Sequence, residues 1–242
     1  MTFAALATDF DGTLAKDGRV DAPTLEALGR LKSADKRLII VTGRWLEDMQ
    51  HTFDAMDLFD AVVAENGALV FLRDGARKIQ MGEPPPEALV RALRDKDVPL
   101  SVGQVIISTS EPHATTVLEA IRELGLEWQV IFNKGAVMLL PPGVNKATGL
   151  VASLRALKLS PRDVVAIGDA ENDHALLSAC GCAVAVANAV PSLKAAADIV
   201  TEAGYGAGVT ELIDGWLNDP DRLFSGLPGR VTPPGDPDLE AI

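Results

Sequence analysis

Asp9-Phe10-Asp11-Gly12-Thr13 follows the apolar run Phe3 to Ala7, so two carboxylates two residues apart stand where a first strand runs into a loop. Alternate residues of an extended chain point the same way, and the glycine lets the chain turn with no side chain in the way. The two acids are therefore expected to share one small volume. Like charges that close repel, and the arrangement becomes reasonable with a hard, oxygen-seeking cation such as Mg²⁺ between them. A short acidic pair is also what a solvated surface turn carries, so the segment needs company before it means chemistry.

Three later segments supply that company. Leu38-Ile39-Ile40-Val41 is a second apolar run and ends in Thr42, Gly43 and Arg44, ahead of a helical segment. A hydroxyl, backbone N–H groups at a helix start and a cation together suit an anion, although a strand-to-helix turn capped by Thr42 would look similar. Asn145-Lys146 opens an apolar-periodic helix. A lysine in a first helical turn opposes the dipole, which favours acids there; a bound phosphate or the acidic cluster would offset this, and an exposed surface lysine is the alternative. Val164 to Ile167 then leads into Gly168-Asp169-Ala170-Glu171-Asn172-Asp173, where Asp169 and Asp173 can face one side as the chain enters a helix. Either acid singly could be a helix cap. Four strand ends that each deliver polar groups are harder to explain so, and in an open α/β sheet ligands bind in the crevice at the carboxyl ends of the strands. The residues lead to a phosphate site with a divalent metal.

Taken in order, the four segments resemble the motifs of the haloacid dehalogenase-like phosphohydrolases, over roughly residues 3 to 215. Glu65-Asn66-Gly67-Ala68 and Val144-Asn145-Lys146 further resemble the Cof-type branch, subfamily IIB, in which a cap is inserted between the second and third motifs. The resemblance implies a Mg²⁺-dependent phosphatase with Asp9 as nucleophile, forming an aspartyl phosphate, and Asp11 as general acid and base. It implies metal ligation by Asp9, the backbone carbonyl of Asp11 and Asp169, with Asp173 either an outer ligand or the group that fixes Lys146. Thr42, Gly43, Lys146 and Asn172 would hold the phosphate, and Arg44 would touch substrate or cap. A compact cap of this kind resembles those of archaeal-type phosphoglycolate phosphatases and sucrose-phosphate phosphatases, so the expected substrate is a small phosphorylated acid or sugar. Two rivals stand beside this reading. A sugar phosphomutase would share the first half-reaction and return the phosphoryl group to the sugar. A phospho-acceptor signalling module resembling a receiver domain also uses acids, a Thr and a Lys at strand ends, but has neither an inserted cap nor the acids after the lysine.

To position these residues the chain offers strands at 3 to 8, 37 to 42, 60 to 64, 68 to 72 and 78 to 81, with helices at 22 to 34 and 45 to 56. Strands and helices alternating at this spacing predict a parallel, doubly wound, Rossmann-like α/β sheet. Pro84-Pro85-Pro86 and Pro141-Pro142-Gly143 then bracket a block with a helix to about 95, a strand over 102 to 108, a helix over 112 to 124 and strands at 127 to 133 and 136 to 140. That block predicts an inserted α+β cap over 83–142, dividing a core of 1–82 and 143–217. Helix 146 to 158, strand 163 to 167, helix 171 to 179, strand 182 to 187, helix 191 to 197, a short strand at 198 to 201 and helix 208 to 217 complete the core. Residues 218–242, rich in proline and glycine, are expected to form an irregular tail.

Composition narrows the partners. With 242 residues and 48% apolar composition the chain can bury a sizeable core, and its net charge of −12 argues against nucleic acid, whose phosphates are bound through Lys and Arg. A small phosphorylated metabolite remains accessible because a metal and local cations reverse the field inside a site. No apolar run is long enough to cross a bilayer and no basic segment precedes the first strand, so a soluble cytoplasmic protein with no membrane contact and no evident obligate protein partner is expected. Cys180 and Cys182 are expected to be buried thiols, and His51, His113 and His174 show no metal-ligand spacing; His174 is expected to face outward.

Overall fold

The computed structural model describes residues 3–133 and 135–227. Its centre is an eight-stranded sheet built from β1 (Ala5–Thr8), β2 (Arg37–Val41), β3 (Ala61–Ala64), β4 (Leu69–Leu72), β5 (Arg77–Gln80), β10 (Val164–Gly168), β11 (Cys182–Ala185) and β12 (Ile199–Val200). Their spatial order is β12-β11-β10-β1-β2-β3-β4-β5. The six strands from β12 to β3 run parallel, and β4 and β5 add an antiparallel edge. Strands β1, β3, β10 and β11 are buried along their whole length. A parallel sheet is covered by helices on both faces, and for that reason these strands read as unbroken apolar runs. From β1 the chain goes to β2 on one side and later returns to β10 on the other, so a crevice opens at the carboxyl end of β1.

Helices α1 (Ala22–Ser33), α2 (Leu46–Thr52), α5 (Lys146–Leu157), α6 (His174–Ala179), α7 (Pro191–Ala196), α8 (Tyr205–Asn218) and α9 (Pro220–Leu223) accompany this sheet. Asp21 caps α1 by accepting from the Thr24 N–H at 3.0 Å, and Pro23 sits in its first turn, where no N–H is needed. Among the described residues no helix is long and apolar enough to cross a membrane.

A second, four-stranded antiparallel sheet lies between β5 and α5 in the chain. It is formed by β6 (Ser101–Val102), β7 (Ile107–Ser110), β8 (Gln129–Asn133) and β9 (Ala136–Leu140), in the order β6-β7-β9-β8. Helices α3 (Glu87–Arg94) and α4 (Ala114–Glu123) pack on one face, where Leu89, Leu93, Val117 and Ala120 meet Ile107, Val137 and Leu139 in a small core of their own. The alternating partners Ser108 and Met138 point to the other face.

Several elements differ from the sequence expectation for local reasons. The helix expected over 45 to 56 stops at Thr52, because Phe53 turns extended (φ −128°, ψ 96°) to pack on Phe10 and Phe59; a 3₁₀ turn, Asp54–Leu58, follows. The strand expected over 102 to 108 is a hairpin whose turn spans Gly103 to Ile106. The helix expected over 171 to 179 begins with a 3₁₀ turn, Glu171–Asp173, because the Asp173 carboxylate turns back to the backbone before it. Helix α8 starts at Tyr205 rather than 208: Asn188 Oδ1 accepts from the Tyr205 N–H at 2.7 Å. Asn218 ends α8 and α9 follows it, so the expected irregular tail does not begin there. Asp219 caps α9, and Phe224 is buried against Phe3 and Trp216. The remainder of the expected tail, 228–242, lies outside the described residues. Cys180 and Cys182 are both buried, while His174 is only half-buried, with Nε2 3.2 Å from Ser192 Oγ.

One polar network ties α1 and β2 to the residue that precedes β3. The Asp60 carboxylate accepts from Lys32 Nζ at 2.6 Å, Arg37 Nη1 at 2.8 Å and the Leu38 N–H at 2.9 Å. Burial opposes its ionisation, but Lys32, the Leu38 N–H and Arg37 together hold the carboxyl below its ordinary 3.8. A depressed folded-state pKa contributes stability above 3.8 that is lost as pH falls through the folded value. Asp60→Asn should therefore lower stability at neutral pH by about 1–3 kcal/mol. Thermal melts from pH 7 down to pH 3 should show the gap between the two proteins closing in acid; a gap that stays constant with pH would assign the loss to packing alone.

Candidate active site

Strands β1 and β10 are neighbours in register, Thr8 opposite Ile167, and the Asp9 N–H continues the ladder to the Ile167 carbonyl at 3.0 Å. Asp9 and Asp169 therefore leave adjacent strand ends together. The 3₁₀ turn then brings Asp173 back, its Oδ2 accepting from the N–H groups of Asp169 and Ala170 at 3.0 Å each. Oxygens of Asp9, Asp169 and Asp173 lie within 4.8 Å of one another, and all three residues are buried. Thr13 donates to Asp169 Oδ1 at 3.0 Å.

Lys146 is the first residue of α5 and only 2% exposed. Its Nζ lies 2.6 Å from Asp9 Oδ1 and 2.6 Å from Asp173 Oδ1. These two ion pairs explain why a lysine occupies a helical position that otherwise favours acids. Burial disfavours its charge, but Asp173 and Asp9 outweigh burial and hold the ammonium above its ordinary value. For Asp9 the balance reverses: burial, joined by the charges of Asp173 and Asp169, pushes the carboxyl up to about 8 although Lys146 pulls the other way.

On the anion side, Thr42 is buried directly after β2, and its Oγ1 accepts from the Arg44 N–H at 3.1 Å. Asn172 donates from Nδ2 to Asn66 Oδ1 at 3.1 Å, which leaves its Oδ1 buried with no hydrogen-bond partner among the described residues. Asp11 departs from expectation. Strand β1 ends at Thr8 and the chain turns tightly through Gly12, so strand alternation no longer governs it. Its carboxylate stands outside the acidic cluster, paired in a fork with Arg44 at 2.6 and 2.7 Å. Arg44 also reaches Asp48 at 3.2 Å and lies 5.0 Å over the Phe10 ring.

These residues line a cavity of about 370 Å³ whose walls include Asp9, Asp11, Thr42, Gly43 and Arg44 from the large sheet, with Ser108 and Met138 above them from the small one. A second cavity, of about 800 Å³, lies beside Lys146, Asn172 and His174. Sequence reasoning gave no role to Ser108 or Met138, although the two-residue period of β7 and β9 is the signal that separates them from the apolar face. Asn66 was visible within a motif and gained no function from it.

The donor set suits a hard divalent cation. Three carboxylates against one ammonium leave negative charge in excess in a buried volume, and every side-chain donor is an oxygen. The Asp173 carboxylate accepts from Lys146 and two backbone N–H groups, and all three acids still offer an oxygen to the cluster.

Comparison with known proteins agrees with this geometry. The family model described as haloacid dehalogenase-like hydrolase matches residues 6–96 and 91–213. A phosphoglycolate phosphatase of Methanothermobacter thermautotrophicus is 34% identical over 217 residues, which span 86% of this chain and 96% of that protein. Another from Sulfurisphaera tokodaii is 32% identical, over 89% of this chain and 95% of its own. Among solved structures, a haloacid dehalogenase-like hydrolase from Bacteroides thetaiotaomicron superposes with a TM-score of 0.77 at 19% identity, covering 88% of this chain and 99% of that one. A subclass IIB sugar phosphatase of the same superfamily gives 0.72 at 21%, covering 88% and 98%. The chain belongs to the haloacid dehalogenase-like hydrolase family.

Proposed function

We propose that this protein is a Mg²⁺-dependent phosphatase that hydrolyses a small phosphorylated metabolite through an aspartyl phosphate on Asp9. The observation that carries the proposal is Lys146 bridging Asp9 and Asp173 at 2.6 Å each, beside Asp169, with Asp9 also lining the cavity that Thr42 and Gly43 line. A phosphate monoester is a dianion, and its approach to a carboxylate needs positive charge fixed in advance. Lys146 supplies one such charge at the attacking carboxylate. Mg²⁺ held by Asp9, Asp169 and the backbone carbonyl of Asp11 would supply the rest, screening the repulsion and aligning the phosphoryl group in line with Asp9. Thr42 and Gly43 line the same cavity, and the Thr42 hydroxyl and Gly43 N–H would hold phosphoryl oxygens there. Asp173 serves by fixing Lys146 and the Asp169 backbone rather than by direct ligation. Asn172 presents an unpartnered acceptor oxygen, better suited to a substrate hydroxyl than to a phosphate oxygen.

Asp11 lines the cavity wall in a fork with Arg44; on substrate binding it would leave that fork carrying a proton, give the proton to the leaving oxygen, and take one back from the attacking water. The four-stranded unit acts as a cap over 83–142, whose Ser108 and Met138 form a roof that limits the leaving group. Its size and the relatives that act as phosphoglycolate phosphatases make 2-phosphoglycolate the first substrate to test, ahead of sugar phosphates. Free phosphate released with 2-phosphoglycolate and Mg²⁺ supports hydrolysis; transfer to a second hydroxyl without release would instead mark a phosphomutase.

The metal has a stability signature. Folding raises the Asp9 pKa from 3.8 to about 8, so the metal-free protein loses stability as pH rises across that interval. Asp9 must be ionised to hold a cation, so Mg²⁺ binding should tighten toward pH 8. At a hundred times its dissociation constant it should stabilise by about 2.7 kcal/mol, a shift of several degrees. Melts with millimolar Mg²⁺ or EDTA at pH 6 and 8.5 should show the larger shift at pH 8.5; no shift at either pH would remove the metal from this account.

The two carboxylates separate kinetically. Asp9→Asn should lose at least about a thousand-fold in kcat and trap no phosphate. Asp11→Asn should release close to one equivalent of p-nitrophenolate in a burst, because a leaving group with a pKa of about 7 needs no proton, then stall with phosphate on Asp9. Rapid quench with intact-mass detection decides: mass added anywhere but Asp9, or the absence of a burst, reverses the assignment.

A further inference from the structure

Glu65-Asn66-Gly67, directly after β3, forms a turn in which three successive residues have positive φ: 52°, 52° and 101°. Glycine and asparagine accept that region readily; glutamate does so at a cost of about 1–2 kcal/mol. A strained glutamate that is also 1% exposed points to a task for its side chain. The backbone of the turn shapes the phosphate loop, since the Glu65 and Asn66 N–H groups donate to the carbonyls of Arg44 at 2.9 Å and Thr42 at 3.0 Å. The Asn66 amide accepts from Asn172 and donates to Met138 Sδ of the cap.

The Glu65 side chain crosses to the cap as well. Its Oε2 accepts from the Val105 N–H at 3.4 Å; burial pushes the carboxyl up, and the N–H groups of Val105, Gln104 and Ile106 offset this only in part. Gly103 closes the contact: a Cβ there would stand 2.0 Å from Trp45 Cζ3 and 2.8 Å from Glu65 Oε2. The turn between β6 and β7 is thus seated on a buried carboxyl of the core, and β7 carries Ser108 onward to the cavity roof.

Resting on the phosphatase reading, we propose that Glu65 is a positioning residue: its carboxyl receives the Val105 N–H, packs against Gly103 in the 103–106 turn, and fixes where the cap roof stands over Asp9. Amide hydrogen exchange tests the contact independently of catalysis. In Glu65→Ala the 104–106 amides should lose at least about ten-fold protection while those of β9 stay as in wild type. Glu65→Gln, which keeps one acceptor oxygen, should lose less. Kinetics test the consequence. A roof displaced by an ångström costs up to about a hundred-fold for a substrate it must orient, so kcat/KM for 2-phosphoglycolate should fall at least ten-fold more than for p-nitrophenyl phosphate. Glu65→Gln should recover part of that difference, and inhibition by inorganic phosphate should stay as in wild type.

Unchanged exchange at 104–106 overturns the contact; raised exchange with both substrates equally affected overturns the positioning role. If Glu65→Ala does not fold, Gly103→Ala, which wedges the same contact apart, gives the same two readings. Wild-type protein that releases no phosphate from either substrate defeats the phosphatase reading, and with it the positioning role, while exchange still reports the contact itself.

Discussion

The site depends on one buried ammonium. Lys146 lies between Asp9 and Asp173, and removing it would leave buried carboxylates facing each other without a compensating charge. Each partner comes from a different stretch of chain, so the pairs form only once β1, β10 and α5 are assembled. A buried ion pair adds little net stability, because desolvation offsets the attraction. Its value here is geometric: Asp9 is held in one place, with the compensating charge already beside the oxygen that would attack.

The same interaction explains why the charge count remains unbalanced. One lysine cannot neutralise three carboxylates, and Asp9 ends with its proton held far more tightly than an ordinary carboxyl holds one. A protein built for stability alone would replace one acid by an amide. Retaining all three makes sense where a further cation completes the set and where a phosphate passes through.

The sequence made the parallel strands legible because burial on both faces writes them as unbroken apolar runs, and Lys146 was legible because it contradicts the dipole preference of its own helix. The direction of Asp11 was not legible. Two-residue spacing predicts a shared face only while the strand lasts, and here it ends one residue before Asp9, leaving a distant arginine to decide. Tertiary packing also cut the helix after Thr52, where Phe53 joins the aromatic cluster, and carried α8 back to Tyr205, through Gly206, three residues before its expected start. The division of the chain between two sheets followed from prolines and paired β runs. What joins them, the Glu65-Asn66-Gly67 turn, carries no periodicity at all.

The small sheet keeps its two faces separate in an unusual degree of detail. Ile107, Val137 and Leu139 hold the helices, whereas Ser108 and Met138, one residue along, look toward Asp9. Side chains on the second set can be exchanged without opening a void in the first. On the proposed reading, a change at Ser108 would alter what the cavity accepts while Ile107, Val137 and Leu139 keep their contacts, whereas Met138 is also tied to Asn66 and to the cluster around Val105 and Ile106. The alternating strand would then let selectivity change at one position with the packing beneath it left as it is.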